Sequence, residues 1–403
     1  MHKIERLLQT LVPKGVEFRK LGEVINILKG KQLNKELLLD YGEYPVMNGG
    51  IHASGYWNEY NTDYPKIIIS QGGASAGYVN YMTSKFWAGA HCYAIELNSE
   101  KLNYKFLYYF LKNSQTILMK SQFGAGIPAL NKADIETLTI PIPPLEIQQE
   151  IVKILDAFTE LNTELNTELK ARKKQYQYYQ NMLLDFKGIH LNHKDAKMSA
   201  KPYPKRLKTL LQTLAPKGVE FRKLGEVCDF QKGKSITKKA VTFGKVPVIS
   251  GGRQPAYYHN EANRSGETIA ISSSGVYAGY VSYWDIPVFL ADSFSVSPKQ
   301  KTLMPKYLFH YLTTQQDAIH ATKSTGGIPH VYSKDLQNFL IPIPPLEIQQ
   351  EIVKILDQFS TLTTDLLAGI PAEIEARKKQ YEYYREKLLA FKPLTPHKEV
   401  KKC

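Results

Sequence analysis

The chain has 403 residues, 43% of them hydrophobic, and carries 52 Lys and Arg against 38 Asp and Glu, a formal charge of +14. That length exceeds one small core and predicts two or three globular domains, while the basic excess points to a polyanion, most simply nucleic acid. No apolar run is long enough to span a bilayer, no signal pattern opens the polar start MHKIERLLQT, and the three scattered cysteines (Cys92, Cys228, Cys403) lack metal-ligand spacing, which fits a reducing cytoplasm.

In chain order, a short amphipathic start (Ile4, Leu7, Leu8, Leu11) leads into about 115 residues rich in glycine, β-branched residues and tyrosine. KIIIS (66–70) reads as a strand, NGG and QGG as turns, and residues 104–118 as a helix. This predicts an α+β domain over 1–143, closed by IPIPP, where consecutive prolines forbid a helix. From Leu145 to Phe186 the pattern is helical with almost no breakers. Ile151, Ile154, Phe158, Leu161, Leu165, Leu169, Tyr176, Tyr179, Leu183 and Phe186 recur at steps of three and four, with Arg172 in the one polar seam position. That predicts a long coiled-coil helix over 144–187. Within it LNTELNTEL repeats the unit LNTE, each unit close to one helical turn of ~6 Å and near the length of two DNA base pairs.

A linker of glycine, prolines and charges (188–204) follows, and then the whole plan returns. LLQTLVPKGVEFRKLGEV (7–24) reappears as LLQTLAPKGVEFRKLGEV (210–227), YPVMNGG as VPVISGG, AGYVNY as AGYVSY, GAGIP as TGGIP, and ARKKQYQYY as ARKKQYEYY. IPIPPLEIQQEIVKILD occurs unchanged at 140–156 and 341–357. The second domain therefore spans 205–344, with a strand at 268–272 and a helix at 305–319. A second long helix spans 345–392 and a basic tail 393–403. LAGIPAEI (367–374) has no counterpart in the first helix, and its Gly369 and Pro371 predict a kink. Each helical stripe needs a partner, and the other copy, packed antiparallel about a pseudo-twofold axis, is the nearest one. The fold expected is α+β, with two pseudo-symmetric globular domains separated by two long antiparallel coiled-coil helices.

No catalytic constellation emerges. GKS (233–235) lacks the glycine of a phosphate loop, with Cys228 in its place, and GAGIPA (124–129) is better read as a turn. Ser235 and Lys238 have nucleophile-like spacing that arises freely in lysine-rich chains. His91-Cys92 is matched by Asp292-Ser293 in the second half and reads as a buried or packing pair. No Pro-Pro-Tyr or Pro-Pro-Phe follows an Asn or Asp, as an amino-methylating enzyme would require.

Contact chemistry is better represented. Lys29 and Lys31 with Gln32, and Lys232 and Lys234, flank glycine-centred turns suited to phosphates. Asn48 and His52 in one half, and Arg253, Gln254, Tyr257, Tyr258 and His259 in the other, lie near Gly-Gly turns and carry groups that can read base edges. The halves diverge most there, which suits two domains reading different sequences.

With FRKLGEV, KGK, the NGG or SGG turn, AGYV, and IPIPPLEIQQEI ahead of a long helix, all present twice over residues 1–392, the chain resembles the DNA-specificity subunit of type I restriction–modification systems. The resemblance implies that the globular domains are target recognition domains, each binding one part of a bipartite site in double-stranded DNA. It implies helices that separate them and dock two adenine-N6 methyltransferase subunits, which hold S-adenosylmethionine. Restriction subunits using ATP and Mg join the same assembly, and this chain itself holds no cofactor or metal. The docking surfaces expected on the duplicated segment include Glu146, Gln148, Gln149, Glu347, Gln349 and Gln350. The rival reading is a coiled-coil scaffold that binds nucleic acid without sequence preference.

Overall fold

The computed structural model describes residues 2–124, 128–186, 203–299, 301–324, 327–364 and 369–394. The expected exposed linker 188–204 lies almost wholly outside the described residues, as do most of the basic tail, the centre of GAGIPA, and Leu367 and Ala368 of the insert. The chain divides into two units, Met1–Asn166 with Ile374–Cys403, and Thr167–Glu373. Each unit holds one globular domain, the start of the long helix leaving it, and the returning end of the other long helix.

In the first unit α1 (His2–Leu11) precedes β1 (Glu17–Lys20), β2 (Ile25–Lys29), β3 (Tyr44–Met47), β4 (Gly55–Trp57), β5 (Lys66–Ser70), β6 (Val79–Met82), β7 (Trp87–Ala88) and β8 (Cys92–Leu97). Then come α2 (Tyr104–Asn113), α3 (Gln115–Lys120), α4 (Lys132–Glu136), β9 (Thr139–Ile142) and α5 (Leu145–Leu184). One antiparallel sheet has the order β2-β8-β5-β6; a smaller one, β4-β3-β7, pairs β3 and β7 in parallel; β1 and β9 form a ribbon. The isoleucines of β5 suit a strand, and their period of two serves two faces. Ile67 and Ile69 enter the main core with Leu107 of α2 and Ile147, Ile151 and Leu155 of α5. Ile68 enters a separate cluster with Met47, Phe86, Ala88 and Cys92. The helix expected over 104–118 is two: Asn103 caps α2 by accepting from the N–H groups of Lys105 and Phe106, and Ser114 ends it. The chain turns there because Gln115 Oε1 accepts from Val79 N (3.0 Å), tying α3 to the sheet.

The second unit repeats this order: α6 (Lys205–Leu214), β10 (Phe221–Lys223), α7 (Leu224–Val227), β11 (Cys228–Lys232), β12 (Val246–Ile249), β13 (Tyr257–His259), β14 (Thr268–Ser272), β15 (Val281–Trp284), β16 (Phe289–Leu290) and β17 (Ser293–Pro298). It continues through α8 (Pro305–Thr314), α9 (Gln316–Ala321), α10 (Ser333–Leu336), β18 (Leu340–Pro342) and α11 (Leu346–Thr364). Its sheets, β11-β17-β14-β15, β13-β12-β16 and β10-β18, match those of the first unit strand for strand. Register matches too: Val46 lies opposite Gly55 and Trp87, and Val248 opposite Tyr257 and Phe289.

The second long helix, expected as one element over 345–392, is two, α11 and α12 (Ile370–Leu389). The carbonyl of Gly369 accepts from Ala372 N (3.0 Å) and Glu373 N (3.3 Å), and Pro371 sits in a first turn that needs no N–H from it. Gly369 and Pro371 therefore lie at the start of a helix, where the sequence predicts a kink. In the first unit Phe158 of α5 stacks on Tyr384 of α12 (centroids 5.5 Å apart), while Leu388 and Leu389 join the domain core and Phe391 meets Phe106 edge-on. The two segments thus run antiparallel. In the second unit Phe359 of α11 stacks in the same way on Tyr179 of α5 (5.1 Å).

Two expected docking residues are corrected. Gln148 and Gln349 are fully buried. Gln148 Oε1 accepts from Asn103 N (2.7 Å), and its Nε2 donates to Lys101 O (2.8 Å) and Pro143 O (2.6 Å). Gln349 binds Met304 N, Thr302 O and Pro344 O in the same pattern. A buried amide must fill its hydrogen-bonding capacity internally, and here it staples the long helix to the loop before α2 or α8. Both glutamines are duplicated for folding.

Candidate nucleic-acid interface

Four loops of the first unit converge: Asn48–Gly50 after β3, Gln71–Ser75 after β5, Gly89–His91 before β8, and the segment after residue 127 leading to α4. Gly89 N donates to Met47 O (2.9 Å), Gln71 N to His91 O (2.9 Å), Gly73 N to Pro128 O (2.8 Å) and Leu130 N to Gln71 O (2.8 Å). The second unit repeats these bonds. Ala291 N donates to Ile249 O (2.8 Å), Ser273 N to Asp292 O (3.0 Å), Gly275 N to Pro329 O (3.0 Å) and Val331 N to Ser273 O (2.9 Å). The first Gly of NGG is required sterically: Gly49 has φ +81°, and a Cβ there would lie 3.1 Å from His91 Cβ and 3.2 Å from Gly72 O.

On this shared main-chain frame the side chains differ almost everywhere. Ile51, His52, Gln71, Ser75, His91 and Asn131 stand where the second unit has Arg253, Gln254, Ser273, Tyr277, Asp292 and Tyr332. The Arg253 guanidinium lies 4.9 Å from the Tyr277 ring and 5.6 Å from Tyr280, a cation–π stack that orients it while it stays exposed. Lys323 Nζ donates to Val276 O (3.3 Å), and Tyr332 stacks on His330. Exposed Tyr258, Val276, Tyr277 and Tyr332 supply apolar faces among these cations.

The expected contact residues divide. His52, Arg253, Gln254, Tyr257 and Tyr258 are exposed at or beside the loop cluster. His259 is not: it is buried, its Nδ1 accepts from Thr242 N (3.0 Å), and its ring meets Phe289 edge-on, so it holds the β12–β13 hairpin and cannot reach a base. Asn48 is half-buried, and its Oδ1 accepts from His91 N (3.1 Å), which ties two loops together. Lys29, Lys31, Gln32, Lys232 and Lys234 are all exposed. The glycine of KGK has its own reason: a Cβ on Gly30 would lie 2.1 Å from Gly89 O, and on Gly233 2.5 Å from Ala291 O, so glycine lets this turn cross under the neighbouring loop.

Cys92 and Cys228 are buried and burial pushes both thiols up to about 12, so neither is a poised nucleophile. His91, read from sequence as half of a packing pair with Cys92, is instead exposed at the loop junction. Residue-type reasoning also passed over Tyr277, Lys323 and Tyr332, and met Asp292 only as the counterpart of His91. Comparing the halves position by position would have found Tyr277, because it replaces Ser75 directly before the repeated AGYV block. Glu146, Gln149, Glu347 and Gln350 are exposed on the first turns of α5 and α11. Among the described residues no group of three or more His, Cys, Asp or Glu could hold a metal, and no helix is long and apolar enough to cross a membrane.

The family model for the type I restriction modification DNA specificity domain matches twice, over residues 13–174 and 216–376. A Haemophilus influenzae protein named as a type I restriction enzyme specificity subunit is 33% identical, over 96% of this chain and 98% of its own length. The EcoR124I/EcoR124II specificity subunit of Escherichia coli is 31% identical, over 98% of each. Among solved structures, the S subunit of a type I system from M. genitalium shares the fold, with a TM-score of 0.65 at 24% identity, over 93% of this chain and 96% of that one. Two matched domains, full-length relatives and one loop frame built twice with different side chains lead to one conclusion: the chain belongs to the family of type I restriction–modification DNA-specificity subunits, which recognise DNA and are not themselves catalytic.

Proposed function

We propose that each unit reads one part of a bipartite site in double-stranded DNA with its four-loop cluster, and that two adenine-N6 methyltransferase subunits dock on equivalent exposed faces of the duplicated segments. The observation that carries this reading is the contrast between two kinds of surface. The loop clusters keep their backbone bonds and change their side chains, as two readers of different sequences would. Beside the long helices, exposed residues stay the same in both copies although folding does not require it: Leu11 and Leu214, Leu145 and Leu346, Glu146 and Glu347, Gln149 and Gln350. In the first unit Leu11, Pro13, Lys14, Pro143, Pro144 and Leu145 line a groove of about 700 Å³. Identical partners meeting a pseudo-symmetric chain need such duplicated contacts.

The methyltransferase partners would hold S-adenosylmethionine, and restriction subunits using ATP and Mg would join the complex, which acts on cytoplasmic DNA. The LNTE repeats lie where the first unit gives way to the second along α5, and we assign them to spacing between the two DNA parts. The test is adenine-methylation mapping by single-molecule sequencing in a methylation-free host expressing the chain with its methyltransferase partner. A two-part motif is expected that needs this chain and changes spacer length when Asn162–Leu165 is deleted. Methylation indifferent to the chain would sink the reading in favour of a scaffold without sequence preference, and an unchanged spacer would sink the ruler.

A further inference from the structure

We infer that His91 and Asp292, equivalent positions at the centres of the two loop clusters, are specificity-determining residues of opposite hydrogen-bonding character. His91 reads an acceptor edge (guanine N7 and O6), and Asp292 reads an exocyclic amine (cytosine N4 or adenine N6). Their equivalence rests on geometry as well as alignment. Each carbonyl accepts the same backbone bond, from Gln71 N (2.9 Å) or Ser273 N (3.0 Å). Each is followed by the residue that opens a central strand, Cys92 opposite Ser70 or Ser293 opposite Ser272. The two side chains therefore leave matching points of a matching frame.

Their chemistry differs in kind. The His91 imidazole is exposed, packs beside Gly72, and makes no hydrogen bond to a described residue; a histidine ring presents at least one N–H in every protonation state. Asp292 is half-buried, and its Oδ2 accepts from the Ser274 hydroxyl, a group the first unit lacks because Gly72 stands there. That bond orients the carboxylate, and among the described residues nothing binds Oδ1. An ionised carboxylate only accepts, so its match among base edges is an amino group, and a histidine N–H matches a purine acceptor. Arg253, stacked on Tyr277 of the same loop cluster, would offset the cost of bringing a carboxylate close to the phosphates.

The inference rests on the proposed function, and the wild-type complex separates the two failures. If wild type yields no bipartite motif, both fall; if the motif is intact and ignores the variants, this inference alone falls. Methylation motifs would be mapped for chain–methyltransferase complexes carrying Asp292→Asn, Ser274→Ala or His91→Asp, with thermal unfolding of each. Asp292→Asn should reduce methylation of the native base at one position of one half-site by roughly tenfold or more, leaving the other half-site unchanged. The base at that position tells cytosine from adenine. Ser274→Ala, which removes the bond that orients the carboxylate, should weaken methylation at that same position by less than Asp292→Asn does, and His91→Asp should alter one position of the other half-site. Unchanged motifs in both Asp292→Asn and His91→Asp would overturn the inference. So would Asp292→Asn and Ser274→Ala acting alike on every site with lowered thermal stability, since Asp292 would then be only a loop pin.

Discussion

At the residue scale, the same chemical type serves opposite purposes in this chain, and burial decides which. Lysines that flank the KGK turns are exposed and free to meet phosphates, whereas Lys112 of α2 lies over the Tyr78 ring (4.0 Å) and donates to Val79 O and Gln115 Oε1 (2.8 Å each). Burial, with help from the Arg385 charge, lowers its amine from 10.5 to about 8. Between these values the unfolded chain binds a proton that the folded chain does not, so this group makes stability rise with pH from about 8 to 10.5. Wild type should therefore gain on Lys112→Met across that range in denaturant titrations. A difference that stayed constant from pH 7 to 10 would contradict the assignment. Residue type and nearness to a Gly-Gly turn point to His259 and Asn48 as base readers, and neither signal carries burial. Their ring nitrogen and amide oxygen are spent on Thr242 N and His91 N.

At the element scale, the strands, the duplicated order and the proline-headed long helices were legible, because β-branched alternation, glycine turns and heptad spacing are local signals. The rest depends on long-range contacts that no local pattern carries. The break at Ser114 follows from a glutamine bonding to a strand 36 residues earlier. Gly369 and Pro371 suggested a kink, and the described residues place a helix start there. The repeated glutamine pair in LEIQQEI combines one residue of each kind: Gln148 is a buried staple and Gln149 a solvated neighbour. Replacing Gln148 with Leu would strand Asn103 N and two carbonyls and should cost about 2–4 kcal/mol of stability. Replacing Gln149 with Ala should leave stability within about 0.5 kcal/mol and weaken methyltransferase assembly. Chemical denaturation and analytical ultracentrifugation separate the two. Equal destabilisation by both variants would refute the division between staple and contact.

At the scale of the whole molecule, duplication has preserved topology, register, the loop frame and the helix-stapling amides, and has released the residues that face outward from the loops. Family membership was legible in the sequence for that reason, since the retained blocks are its signature. The reading residues were not, since they are defined by where they stand on the frame rather than by any motif. Each unit also completes itself with the far end of the other long helix, through Tyr384 against Phe158 and Tyr179 against Phe359. A globular part is therefore best exchanged inside the intact chain, between the conserved joints at Pro13 and Pro143 or Pro216 and Pro344. The most direct measurement replaces residues 216–344 with a second copy of 13–143 and maps adenine methylation by the chimera with its methyltransferase partner. The expected result is a site whose two parts are the same sequence, that of the first unit's half-site. A chimera that assembled with its partner yet still methylated the original two-part motif would contradict recognition by separate, equivalent loop clusters.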